Sequence, residues 1–377
     1  MKSDQIKVPK GLDGVLVDET LISLTKPEGK LIYRGYDIDT FAEKTTFEEV
    51  SYLILYGNLP TKEELQVFSD KLKQARILPD QFNESLPYVV KSAKPVDWIK
   101  TAISLYSSLD LTSDTLSKEE LLSKSINLIG AFPVILANGY RLSQNQSPIN
   151  PKDDLDHSSN ALYMMRGSEP DLLEEQAYDL NMILYADHDF NASTFTTRVV
   201  ASTLTDIYSA SIAALAALKG PLHGGAIETA IEMLIEIGDK SNAIKWIDDR
   251  LDNKEKIPGF GHRIYQKVDP RTVLHKKNLD KLALKNNDTS LSELCTIVDE
   301  HMWKTKQLPA NCDFYASPVL YTLGLPVELY TAIFASSRVV GWCAHYLEQV
   351  ENNRLMRPIA EYVGPIDLNY VPIDQRS

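Results

Sequence analysis

Three histidines, one aspartate and one arginine sit where this sequence could do chemistry. His223 lies in GPLHGGA. Pro221 and the paired glycines Gly224 and Gly225 place it between a helix that ends at Gly220 and one that starts near Ala226. A helix N-terminus disfavours an imidazolium, so His223 is held neutral and able to donate a hydrogen bond near pH 7. The setting alone leaves a structural role equally open. His262 lies in PGFGHRIYQKVDPR. Gly259 and Gly261 let a ligand approach the backbone. Asp269 suits a helix N-cap, with Pro270 in the first helical position and Arg271 projecting from the first turn. His262 and Arg271 around a glycine loop and a helix start read as an anion site. His188, in ADHDFNASTF, is flanked by Asp187 and Asp189, with Asn191 nearby. Zinc or iron is the rival reading there. No HxxH, HExxH or second His/Asp pair at ligand spacing accompanies it, so no metal site is expected. Asp313, in LPANCDFYASP, lies between two helical segments beside Cys312, Phe314 and Tyr315. Desolvation there raises a carboxyl pKa toward the range useful for a base; a helix N-cap is the structural alternative.

The elements that must position these groups are mainly helical. Alternating runs over 11–38, broken at 27–29, predict a small N-terminal hairpin or sheet. After Thr45, apolar residues recur three and four apart over 47–55, Lys62–Ala75, 97–109 and 118–136. Thr61 followed by Glu63 and Glu64 reads as a helix cap with acids in the first turn. The longest predicted helix is 195–218, rich in Ala and Ser. Small residues let backbones approach closely, so this segment is expected in the core or against a second subunit, and it and 126–140 are the segments expected at a dimer interface. Shorter helices follow over Ala226–Ile237, 242–251, 270–285 and 291–306, then a long one over 326–352.

The chain has 377 residues, beyond the roughly 250–300 at which single cores stop growing, so two domains are expected. With 44% apolar and 24% charged residues it is neither disordered nor fibrous. The formal net charge is −13. That excess repels nucleic-acid phosphates and anionic membranes, so neither is expected as a partner. An anionic substrate must find a local cluster of Arg, Lys and His. Cys295, Cys312 and Cys343 lack CxxC spacing and read as reduced thiols of a cytoplasmic protein. Apolar stretches read as too short or too charged to span a membrane, and the first residues show no signal or transit peptide.

In this order and spacing, GPLHGGA, GFGHRIYQKVDPR and NCDFYASP resemble the citrate synthase family, whose signature is a GxGHxxYxxxDPR-type string. The resemblance runs from about Gly11 to Pro372, and the compact length is similar to the short members of archaea and some bacteria. It implies a mainly α, two-domain fold with a small N-terminal β element. The large domain would comprise 1–221 and 323–377 and the small domain 222–322, with a cleft that closes on substrate. It implies condensation of oxaloacetate with acetyl-CoA and hydrolysis of citryl-CoA, with no permanently bound cofactor. By resemblance, His223 donates to the acetyl carbonyl, Asp313 removes the methyl proton and His262 polarises the oxaloacetate ketone. His188, Arg271 and Arg338 (in FASSRVVG) hold the oxaloacetate carboxylates, and Arg357 (in LMRP) reaches across a homodimer. Coenzyme A is expected near Lys256, Ile257, Gly259, Phe260 and Gly261, with Lys267, Lys304 and Lys306 as phosphate candidates. Mitochondrial-type members carry an Arg four residues after the second catalytic His, where this sequence has Gln266. With no long N-terminal extension, the NADH-inhibited hexameric form is not expected.

The chemistry agrees with the resemblance. A thioester α-proton is far less acidic than a carboxylic acid, so a base alone is insufficient. The developing enolate oxygen needs a positioned donor, whose removal typically costs about 10²–10³ in rate. Oxaloacetate is a dianion, for which bidentate Arg is the matching partner. The nearest alternative is 2-methylcitrate synthase, using propionyl-CoA, or an enzyme of dual specificity. A non-catalytic protein of the same fold and a metal enzyme built on His188 are the remaining rivals.

Overall fold

The alternating segment near the N-terminus forms a small antiparallel sheet of β1 (Ser23–Lys26), β2 (Lys30–Tyr33) and β3 (Tyr36–Asp37), in that order. Thr25 pairs with Leu31, and Ile22, Leu31 and Tyr33 are buried beneath it. The structure is a computed structural model that describes residues 9–91, 93–112 and 117–376. The first eight residues of the N-terminal stretch read above, and Ser377, lie outside the described residues.

Helices make up most of the rest. The first half holds α1 (Ile38–Phe41), α2 (Phe47–Tyr56), α3 (Lys62–Ala75), α4 (Asp80–Val90), α5 (Pro95–Ser108), α6 (Lys118–Ser143), α7 (His157–Arg166) and α8 (Leu172–Tyr185). The second holds α9 (Ala192–Ala201), α10 (Ile207–Leu218), α11 (Ala226–Ile237), α12 (Ala243–Asp252), α13 (Pro270–Asn286), α14 (Ser290–Lys306), α15 (Cys312–Thr322) and α16 (Tyr330–Glu351). Their starts follow capping chemistry. Thr61 and Glu64 form a reciprocal capping box at α3, and Asp171 with Glu174 does the same at α8. Asp269 caps α13, with Pro270 in its first turn.

The mainly α fold with a minor β element is observed; α1, α4, α7, α8 and α15 fall where the periodicity predicted no helix, and three further points differ in detail. The predicted 195–218 helix is two helices. Leu204 takes a left-handed φ of 62°, and the Asp206 carboxylate accepts from the Ser209 N–H at 2.8 Å to start α10. A side-chain cap competes with helix continuation at that point. Asp313 lies inside the first turn of α15, and Asn311 is the cap. Finally, α6 runs to Ser143, long and apolar enough by composition to cross a membrane; its most apolar window is 78% buried inside the chain. From Ile126 to Gly139 only Asn127 is exposed. That face is therefore taken by the chain's own core and is not open to a second subunit.

At the centre is α16, buried almost continuously from Tyr330 to Tyr346 and packed on α2, α6, α8, α9 and α10. Close helix approach explains two glycines of α6. A Cβ at Gly130 would meet the Leu72 carbonyl at 2.6 Å, and one at Gly139 the Trp98 ring at 2.4 Å. Helices α11 to α15 pack among themselves and reach the remainder mainly through α8 and α16. The junctions between these two groups are where the singled-out histidines and acid lie.

Candidate functional site

A cavity of about 920 Å³ opens between the two helix groups. His188, His223, Gly261, His262, Arg271, Asp313 and Arg338 all line it. These residues come from α8's end, the α10–α11 turn, the loop before α13, and the starts of α13 and α15, plus the middle of α16. Only tertiary packing brings them together.

His223 is presented by a turn that folds back on the end of α10. A Cβ at Gly224 would meet the Leu218 carbonyl at 2.9 Å, and one at Gly225 the Lys219 carbonyl at 2.8 Å. The Ser193 N–H is shared between Asn191 Oδ1 at 3.2 Å and His223 Nε2 at 3.3 Å, and Ser193 Oγ lies 2.8 Å from the same nitrogen. An accepting Nε2 puts the ring proton on Nδ1, which is thereby left as the donor. Ser193 is itself held: Trp342 Nε1 donates to its Oγ at 3.1 Å, and Asn191 caps α9 over it. Burial, and then the Arg338 charge, lower the His223 pKa to about 3, so the ring is neutral at pH 7.

His262 repeats the pattern with the other tautomer. Its Nδ1 accepts from the backbone N–H groups of Ile264 at 3.1 Å and Tyr265 at 3.2 Å, so Nε2 carries the proton. Burial and Arg271 lower its pKa to about 4. Its loop is tied to the approach of α15. Gly261 N donates to the Pro309 carbonyl and Asn311 N to the Gly259 carbonyl, both at 2.9 Å. Gly259 takes φ 81°, and a Cβ there would meet Phe314 at 2.9 Å. His188 packs edge-on to His262 and Tyr265, and its Nε2 lies 3.0 Å from Tyr265 Oη. Burial first, then Arg271, hold its pKa well below the ordinary value.

The cations are buried. Arg271 Nε and Nη2 donate to Asp269 at 2.9 and 2.7 Å, and Asp269 Oδ2 also accepts the Cys312 N–H at 3.1 Å. One carboxylate thus pins the starts of α13 and α15 together. Burial opposes the Arg271 charge, and Asp269 more than offsets it. Arg338 Nε donates to the Tyr185 carbonyl at 2.6 Å, with its guanidinium over the Phe334 ring. Asp313 Oδ1 accepts from Tyr185 Oη at 2.6 Å. Burial raises the Asp313 pKa to about 6, against the Tyr185 hydrogen bond and Arg271. The site therefore offers two neutral imidazoles with defined donors, two buried guanidiniums for an anion, and a carboxylate basic enough to take a proton near neutrality.

Other expected residues fall elsewhere. Arg357 is exposed and does not line the cavity of this chain. Of the coenzyme A candidates only Gly261 lines it. Ile257 and Gly259 are buried in packing, Phe260 is half-buried and bridged to Ala310, and Lys256, Lys267, Lys304 and Lys306 are exposed outside it. Sequence reasoning gave no role to Tyr185 or to Gly11 to Val15, which line the cavity, nor to Ser193 and Tyr265, which meet His223 and His188. The Asn191 cap was a visible signal for Ser193; nothing local pointed to Tyr185. Among the described residues no group of three His, Cys, Asp or Glu is placed to hold a metal ion.

Compared with known proteins, residues 11–359 match the family model described as citrate synthase, C-terminal domain. The chain is 41% identical to citrate synthase 2 of Bacillus subtilis, over 98% of this chain and 99% of that protein. It is 40% identical to a 2-methylcitrate synthase of Shewanella oneidensis, over 97% of each. Among solved structures, it superposes with TM-score 0.92 on the citrate synthase of Thermoplasma acidophilum in ternary complex with carboxymethyl coenzyme A and oxaloacetate; identity is 35% over 98% of this chain and 100% of that one.

Proposed function

Since the chain belongs to the citrate synthase family, and is thereby an enzyme of the transferase class, we propose that it condenses acetyl-CoA with oxaloacetate and hydrolyses citryl-CoA to citrate and CoA. Arg271, Arg338 and His188 hold the oxaloacetate carboxylates. His262 Nε2–H bonds the ketone oxygen and His223 Nδ1–H the thioester carbonyl. Asp313 takes a methyl proton, and the enol carbon attacks the ketone carbon. The carbonyl π electrons move to the ketone oxygen, which takes the His262 proton. Water then adds to the thioester carbonyl carbon and the C–S bond breaks; the Asp313 proton goes to the departing thiolate, and a water proton restores His262. The observation that carries this reading is the pair of neutral imidazoles, each with one nitrogen tied to backbone N–H, facing one cavity with Asp313. A neutral ring suits an enolate donor because it stabilises charge as that charge develops.

Relatives named for citrate and for 2-methylcitrate synthesis are 41% and 40% identical to the chain. One methylene in an apolar pocket is worth about 1–3 kcal/mol, so propionyl-CoA is the second substrate to test. Thiol release from each thioester, with and without oxaloacetate and with chelator present, tests both readings. Oxaloacetate-dependent release supports the condensation, and the kcat/KM ratio assigns the acyl group. No release from either thioester refutes it.

The same reading divides the chain into a large domain of 1–221 and 323–377 and a small domain of 222–322, closing over oxaloacetate. It is supported by the separate packing of α11 to α15. Beyond α16 the chain is exposed and carries Leu355, Ile359, Tyr362, Val363 and Ile366 on its surface. Such an apolar tail fits a homodimer in which Arg357 enters the partner's cavity. Exposed lysines around 256–267 and at the end of α14 stay the candidates for CoA phosphates, in a cytoplasmic enzyme.

A further inference from the structure

Tyr185 is the last residue of α8 and touches both halves of the site. Its carbonyl accepts from Arg338 Nε at 2.6 Å, and its phenol donates to Asp313 Oδ1 at 2.6 Å. The ring is clamped between Phe334, 4.2 Å away centre to centre, and His275 of α13 at 6.0 Å. His275 is fully buried and neither ring nitrogen has a hydrogen-bond partner among the described residues. We propose that Tyr185 is the positioning residue for the Asp313 carboxyl, holding Oδ1 so that Oδ2 is the oxygen that meets the substrate proton. This inference rests on the reading of Asp313 as the base.

The geometry has an electrostatic consequence. A phenol that donates to a carboxylate stabilises its charged form and lowers its pKa. The phenol stays protonated, because burial and the Asp313 charge push its own pKa well above the ordinary value. The other groups acting on Asp313 are Arg271 and Asp269 at the start of α13, and Arg338 of α16. His188, His223 and His262 face the same cavity and are neutral across the relevant range. Cys312 is buried with its thiol pKa raised, so it does not titrate there. The acid limb of catalysis thus belongs to Asp313, held down by Tyr185.

Tyr185→Phe removes the donor and keeps the ring. The expected result is an acid limb of kcat/KM for acetyl-CoA displaced upward by about one pH unit, with reduced kcat and unchanged calorimetric affinity for oxaloacetate. A second protein with 3-fluorotyrosine at position 185, a stronger donor, should move the limb the opposite way, and it keeps the test alive if the Phe variant misfolds. Reduced kcat with both limbs unmoved would overturn the positioning role and leave the base assignment standing. A wild-type enzyme without oxaloacetate-dependent thiol release would remove the base assignment, and this inference with it.

Discussion

Asp269→Asn is the most informative single substitution, because one carboxylate holds two helix starts and a buried cation. Asp269 is fully buried and accepts from Arg271 N, Nε and Nη2 and from Cys312 N, at 2.7 to 3.1 Å. An asparagine of the same shape has one acceptor oxygen. In either amide orientation, an NH₂ faces donors that the second oxygen now satisfies, and the Arg271 charge loses its partner in the interior. Breaking a buried pair from one side costs about 3–5 kcal/mol. Urea unfolding at fixed protein concentration should show a loss of that size at pH 7, together with weaker oxaloacetate binding as Arg271 loses its anchor. The pH dependence has a definite sign. Asp269 is held below its ordinary pKa, despite burial, by Arg271. Its contribution is therefore complete above the unfolded value and disappears as pH falls through the lower folded value. The stability gap between wild type and variant should then be constant from neutrality down to about pH 5 and close under stronger acid. A loss below about 1 kcal/mol with unchanged oxaloacetate affinity would refute the argument that this pair organises the site.

Asp313→Asn should lower kcat by at least about 10²-fold while leaving the oxaloacetate dissociation constant nearly intact, measured by calorimetry; a large loss of oxaloacetate binding would contradict its role as base. Ser193→Ala leaves the backbone N–H on His223 Nε2 and removes the hydroxyl. One lost hydrogen bond predicts a roughly fivefold lower kcat with oxaloacetate KM unchanged, and an unaltered kcat would show that the backbone contact alone orients the ring. Arg357→Leu should raise oxaloacetate KM only in a dimer, so sedimentation and kinetics together decide it: a dimer with unaffected constants would exclude Arg357 from the partner's site.

Much of the chemistry was legible in the sequence because it is locally encoded. GPLHGGA shows a histidine on a helix junction, and VDPR shows a cap, a first-turn proline and a projecting arginine. Helical periodicity gave most helix positions and the Thr61 and Asp269 caps marked two starts, since both signals act within a few residues. The long predicted helix over 195–218 failed where the local signal for a new cap at Asp206 outweighed continued periodicity. Arg338 and Arg357 were reachable only through family resemblance, because an arginine in a helical or tail segment carries no local mark of its ligand.

The tertiary structure alone decided protonation and partnership. Which nitrogen of His223 and of His262 bears the proton depends on the backbone groups that pack against each ring, and in His223 the donor comes from thirty residues away in sequence. The neutrality of both rings and the raised Asp313 pKa come from burial, a property of the assembled interior rather than of neighbouring residues. Tyr185 meets Asp313 across 128 positions of chain, and no spacing rule spans such a distance. Residue types and capping order were thus written locally, while proton positions, dielectric and pairing arose only when distant helices closed around one cavity.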